Sequence, residues 1–112
     1  MKILAIDKYE EPVVKEIGNT LEDMQKYVMG YIETLTLSKT AVLVCNENGI
    51  LVDFTPNRIL KIGHNQVIRG DFFICGWAKD EFCDISNEDI EKYTKMFSKP
   101  EVLFMPVWVG TS

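Results

Sequence analysis

Ala41-Val42-Leu43-Val44-Cys45, running into Asn46-Glu47-Asn48-Gly49, is the stretch that decides how this chain is built. Five apolar residues without polar alternation predict a central strand with both faces covered. The Asn-Gly pair after them tolerates the positive φ angles of a tight turn, so 46–49 reads as a hairpin turn with Ile50–Phe54 returning. A second continuous run, Phe72–Trp77 (FFICGW), predicts another buried strand.

Outward from these runs, residues 2–7 (KILAID) and 12–17 (PVVKEI) read as two short strands joined by the polar turn KYEE. Helix signals follow. Thr20 is the expected N-cap, with Asp23 three residues on in the manner of a capping box. Leu21, Met24, Val28 and Tyr31 recur at helical spacing, Glu22 and Lys26 form an i,i+4 pair, and Gly30 is placed to end the helix in the left-handed conformation. A strand is expected over Tyr31–Leu37. Pro56 interrupts the next segment, so 55–65 reads as a turn of helix plus loop.

Ser86 caps a second helix. Glu88, Asp89 and Glu91 stand early in it and Lys92, Lys95 and Lys99 late, an order that complements the helix dipole. Ile90, Tyr93 and Phe97 give it an inward face, and Pro100 stops it. Val102–Val109 reads as a last strand, with Pro106 favouring an edge or bulge. No repeat, linker or low-complexity tract divides the chain. The expectation is a single α+β domain over residues 1–112, with a mixed or mainly antiparallel sheet and two helices.

The chain carries 17 acidic and 12 basic residues among 112, a formal net charge of −5. That balance argues against general binding to nucleic-acid backbone, which needs a broad basic face. It permits a small anionic ligand or a basic protein partner. Cys45, Cys75 and Cys83 form no CxxC pair, and Cys45 and Cys75 sit in apolar runs as small core residues would. A reducing cytoplasmic setting is expected. No apolar run reaches the length of a membrane span.

Against this acidic background, Phe54 to Gly70 (FTPNRILKIGHNQVIRG) contains no carboxylate and holds Arg58, Lys61, Arg69 and the one histidine, His64. An acidic chain that clears its acids from one segment has the material for a local anion site. Arg58 offers a rigid fork of donors for phosphate or carboxylate, or else pairs with a glutamate such as Glu47. Asn46, Glu47 and Asn57 either supply polar contacts to a ligand or serve as turn residues. Tyr31 either stacks on a ring or packs in the core. His64 has no partner ligands at metal spacing, and no metal or cofactor is expected. The acids between Asp80 and Glu91 miss the calcium-loop pattern. No nucleophile elbow, zinc-protease or phosphate-loop motif is present, so no catalytic residue is assigned.

Several segments together resemble a known family. They are Val14-Lys15-Glu16-Ile17, MQKYVMGYIE from Met24 to Glu33, CNENG from Cys45 to Gly49, Pro56-Asn57-Arg58, GDFFICG from Gly70 to Gly76, and the closing helix from Tyr93 to Pro100. The chain resembles domain-of-unknown-function family 3846, small proteins of phages, plasmids and gut-bacterial mobile elements. It departs from the pattern at Met29, where a second glycine is expected before Gly30.

What the resemblance implies is a phage or mobile-element setting, in the cytoplasm of a bacterial host, where small acidic proteins often counter host defence. The leading expectation is a non-catalytic protein that sequesters a small anionic ligand such as a nucleotide immune signal. Arg58 would be its anion contact, helped by Lys61, His64 or Arg69; Asn46, Glu47 and Asn57 would give specificity and Tyr31 a stacking face. A homo-oligomer with the ligand at a subunit interface is expected, because so short a chain seldom encloses a deep pocket. The alternative is a protein–protein inhibitor acting through the acidic 80–91 face or the apolar C-terminal strand. A third is a small carboxylate-dependent hydrolase.

Overall fold

Phe72 to Gly76 are all buried, and so is all of Ala41 to Asn46. Such segments satisfy their backbone groups only inside a sheet, and here they pair with each other. The computed structural model describes residues 1–49, 54–62 and 65–99. Along them run β1 (Lys2–Ile6), β2 (Val13–Glu16), α1 (Leu21–Val28), β3 (Ile32–Thr36), β4 (Ala41–Asn46), β5 (Pro56–Leu60), β6 (Gln66–Arg69), β7 (Phe72–Ala78), β8 (Glu81–Cys83) and α2 (Asn87–Met96). The main sheet has the order β2-β1-β7-β4-β3, with β8 continuing the β1 side of β7, and its pairs are antiparallel. β5 and β6 form a separate hairpin. The α+β class with two helices and an antiparallel sheet is the one expected.

Successive strand residues face opposite sides, so the sheet builds two cores. On one side Ile3, Ala5, Val42, Val44, Phe73 and Cys75 pack against Met24 and Val28 of α1. On the other, Leu4, Ile6, Leu43, Phe72 and Ile74 meet Tyr93 and Phe97 at α2, with Leu60 and Ile68 from the β5–β6 hairpin. Gly76 lets the chain cross tightly there: a Cβ would stand 2.2 Å from the Asp84 carbonyl oxygen.

Both helix starts follow the capping logic. Thr20 Oγ1 accepts from the Asp23 N–H at 3.1 Å, and Ser86 Oγ from the Asp89 N–H at 3.1 Å. The end of α1 differs from expectation, because the left-handed residue is Met29 (φ 62°, ψ 41°) rather than Gly30. Tyr31 also differs from its core reading: it is 65% exposed.

Two segments depart further. Residues 55–65 were expected as a helical turn, yet Pro56–Leu60 is a strand. Proline is tolerated because it opens the strand, and the ladder slips between Pro56 and Arg58, where Asn57 is the extra residue of a bulge. Polar Asn57 and Arg58 point inward, which inverts the expected pattern. Both edges of β4 are taken by β3 and β7. The expected return strand 50–54 lies outside the described residues except for Phe54, whose N–H closes on the Gly49 carbonyl at 2.9 Å. The expected strand 102–109 and the stop at Pro100 also lie outside them.

Met29 is 73% exposed, so its side chain adds little burial to offset a left-handed backbone. Relieving it with glycine is expected to raise the unfolding free energy by about 0.5–1 kcal/mol. Urea denaturation of Met29→Gly checks this, and a lower midpoint would contradict it.

Candidate functional site

Helix α1 has eight residues and so is about 12 Å long, too short to cover its side of the sheet. The uncovered part is a groove of about 380 Å³ between β3, the turn after it, β7 and β8. Ala41 and Val42 of β4 line its base, with the Val42 side chain on this side of the sheet and that of Ala41 packed into the opposite core. One wall is Trp77 and Phe82, packed edge to face with ring centroids 5.4 Å apart. These residues oppose each other across the β7–β8 ladder, which fixes both rings.

The other wall is made of hydroxyls. Thr34, Thr36 and Ser38 fall at every second position, so they share the groove side while Leu35 and Leu37 pack into the opposite core. Lys39 stands at the rim and is exposed. The turn that carries it is tied down. Ser38 Oγ accepts from the Thr40 N–H at 3.2 Å, and Thr40 Oγ1 donates to Asp89 Oδ2 of α2 at 2.8 Å. The Trp77 N–H donates to the Thr40 carbonyl at 3.0 Å, linking the turn to the aromatic wall. An apolar floor, a ring wall, several hydroxyls and one ammonium can hold a flat ring bearing an acidic group.

The residues singled out in the sequence are placed differently. Arg58 is 1% exposed, and its guanidinium donates to the carbonyls of Phe97 (3.1 Å), Asn57 (3.3 Å) and Glu10 (2.5 Å) and to Asn57 Oδ1 (2.6 Å). It therefore ties β5 to the β1–β2 loop and the end of α2, and is not turned to solvent as an open anion contact. Asn57 is buried beside it, donating to the carbonyls of Ile6 at 2.8 Å and Gly70 at 2.9 Å. Asn46 donates to the carbonyls of Val28 (3.0 Å) and Met29 (3.2 Å) and accepts from the Asn48 N–H (2.7 Å), so it closes the end of α1 and its own turn. Gly30 admits this amide, since a Cβ there would lie 2.6 Å from Asn46 Nδ2.

Asn46, Glu47 and Arg69 do come together, lining a cleft of about 90 Å³ with Glu33 and Cys45. Arg69 is half-buried and donates to the Phe54 carbonyl at 3.1 Å, while its Nε is buried without a hydrogen-bond partner among the described residues. The two glutamates make this cleft a poor home for an anion. The Cys45 thiol is pushed up to about 12 by burial and then by Glu33, which keeps it protonated and unreactive at neutral pH. Lys61 and Tyr31 are exposed and line neither cavity; His64 lies outside the described residues.

The family model for a domain of unknown function (DUF3846) matches residues 1–98. The chain belongs to the DUF3846 family. No curated protein and no solved structure gives a significant match. Among the described residues of this DUF3846 protein, no helix is long and apolar enough to cross a membrane, and no three His, Cys, Asp or Glu side chains converge to hold a metal ion.

Its acids are also dispersed. Asp80, Glu81, Glu88 and Glu91 are exposed, but Asp89 is buried against Thr40, and Asp84 accepts from the Lys2 N–H at 2.8 Å. At the far end of the sheet, Asp7 accepts from the Tyr27 hydroxyl and from Lys15 Nζ at 2.9 Å, while Asp71 accepts from the Lys8 N–H at 2.8 Å. Burial first, then the Asp7 hydrogen bond, pushes the Tyr27 phenol above its ordinary range. These carboxylates are engaged in holding the first loop and α1 to the sheet.

Sequence reading missed Lys39, the hydroxyl ladder and the Trp77–Phe82 wall. The signal was present in Thr34-Leu35-Thr36-Leu37-Ser38, whose period of two puts hydroxyls on one face. Arg58→Ala is expected to lower stability by about 3 kcal/mol or more, because it empties a buried site and removes hydrogen bonds that tie β5 to the β1–β2 loop and the end of α2. Thermal and urea unfolding check this. A shift under about 1 kcal/mol would show that the tie is dispensable.

Proposed function

We propose that this DUF3846 protein is a non-catalytic binding protein that sequesters a small anionic ligand carrying an aromatic ring. The observation that carries the reading is the groove itself: a 380 Å³ concavity with a ring wall, a hydroxyl wall and the Lys39 ammonium. Its size falls in the range of small-molecule sites. Lys39 takes the anion-contact role that sequence reading gave to Arg58.

The phage and mobile-element setting implied by the family resemblance makes a nucleotide signal of host defence the candidate ligand, and counter-defence the role. Sequestration requires tight holding and no bond chemistry, which suits a pocket with the apolar Val42 at its base. The outer edges of β2 and β3 carry no further strand among the described residues, and they are where a second copy would add to form a homo-oligomer.

Native mass spectrometry of protein purified from cells with active nucleotide-signalling defence tests this, reading subunit count and co-purifying mass together. A bound small anion recovered intact after heating is expected. Lys39→Glu, an exposed change that leaves the fold in place, is expected to remove the extra mass. A ligand recovered in degraded form would convert the reading to an enzyme. Protein that stays ligand-free and captures a host protein instead would overturn it in favour of an inhibitor.

A further inference from the structure

We infer that the groove selects a flat aromatic ring bearing a single acidic group, of the nucleoside monophosphate kind, over the same ring bearing a di- or triphosphate. This rests on the binding reading above and concerns what that site accepts.

The charge inventory around the groove carries the inference. Among the described residues Lys39 is the one cation lining it, and every other lining residue is neutral. Phe82 is shared with a neighbouring recess that Asp80 and Glu81 also line, while the exposed Lys79 of the same turn lines neither cavity. Asp89 stands behind the 38–40 turn, holding the Thr40 hydroxyl so that it does not serve as a ligand donor. One ammonium thus meets one anionic group, and each additional phosphate would meet a neutral wall in a protein of net charge −5. Sites built for polyphosphates instead use several cations, a glycine-rich backbone cradle or a bound metal ion. The groove wall offers none of these among its lining residues.

The neutral part of the site gives the rest of the selectivity. Thr34 and Thr36 are spaced about 7 Å apart along β3, and Ser38 follows in the turn after it, so hydroxyls line one side of the guest. Trp77 and Phe82 are fixed edge to face at 5.4 Å, which presents a ring edge and a ring face to one planar guest. A volume of about 380 Å³ is near the low end for ligand sites and suits one mononucleotide-sized molecule.

Isothermal titration of the full chain with adenosine, AMP, ADP and ATP, repeated with the guanine series at two salt concentrations, tests this. The monophosphate is expected to bind at least tenfold tighter than both the nucleoside and the triphosphate. Its affinity should fall with salt as for a single ion pair, and Lys39→Glu should weaken it at least tenfold with unfolding unchanged. Lys39→Met is expected to reduce monophosphate binding to the nucleoside level. A triphosphate bound as tightly as the monophosphate would overturn the inference and leave the binding reading standing. No binding of any nucleotide at millimolar concentration, by wild-type protein that unfolds cooperatively, would overturn both.

Discussion

Burial of β7 on both faces and pairing of both its edges is the constraint from which the rest of the structure follows. Its residues Phe72 to Gly76 are shut off from water, so each backbone group in them must find a partner within the protein. β1 and then β8 serve one edge, and β4 serves the other. Once this strand is central, the two cores on either side are dictated by alternation, with α1 drawn to one face and α2 with the β5–β6 hairpin to the other. The shortness of α1 then leaves the groove. The candidate site is in this sense what remains of a sheet face after an eight-residue helix has been laid on it.

Much of this was legible in the residues. AVLVC and FFICGW announced buried strands because their apolar runs lack alternation, and both helices announced themselves through Thr20 and Ser86 caps with periodic apolar faces. β5 was not legible. Its inward positions include Asn57 and Arg58, polar residues that normally argue for a surface, and they are buried with their side-chain donors spent on main-chain carbonyls of other segments. The left-handed position at the end of α1 was assigned to Gly30 on composition. The glycine is required for another reason, the approach of the Asn46 amide, and the strained conformation falls one residue earlier.

The candidate site was less legible than the fold, for a physical reason. Charge clustering along the chain drew attention to residues 54–70, but a chain segment without acids is a site only if its cations reach solvent together. Here Arg58 is consumed by main-chain carbonyls, and Arg69 is placed beside Glu33 and Glu47. The groove instead draws one cation, several hydroxyls and two rings from four separate elements, each unremarked in its own segment. Only the β3–β4, β4–β7 and β7–β8 pairings together bring them to one place.

The strand order also governs the sequence in which partners become available during synthesis. β1 can form a hairpin with β2 at once, but its second edge waits for β7, which follows every other described strand except β8. β4 likewise holds β3 early and lacks its other neighbour until the same moment. Until β7 is made, the β1–β2 and β3–β4 pairs of the main sheet have no strand to join them, and Phe72 to Ala78 supplies that join.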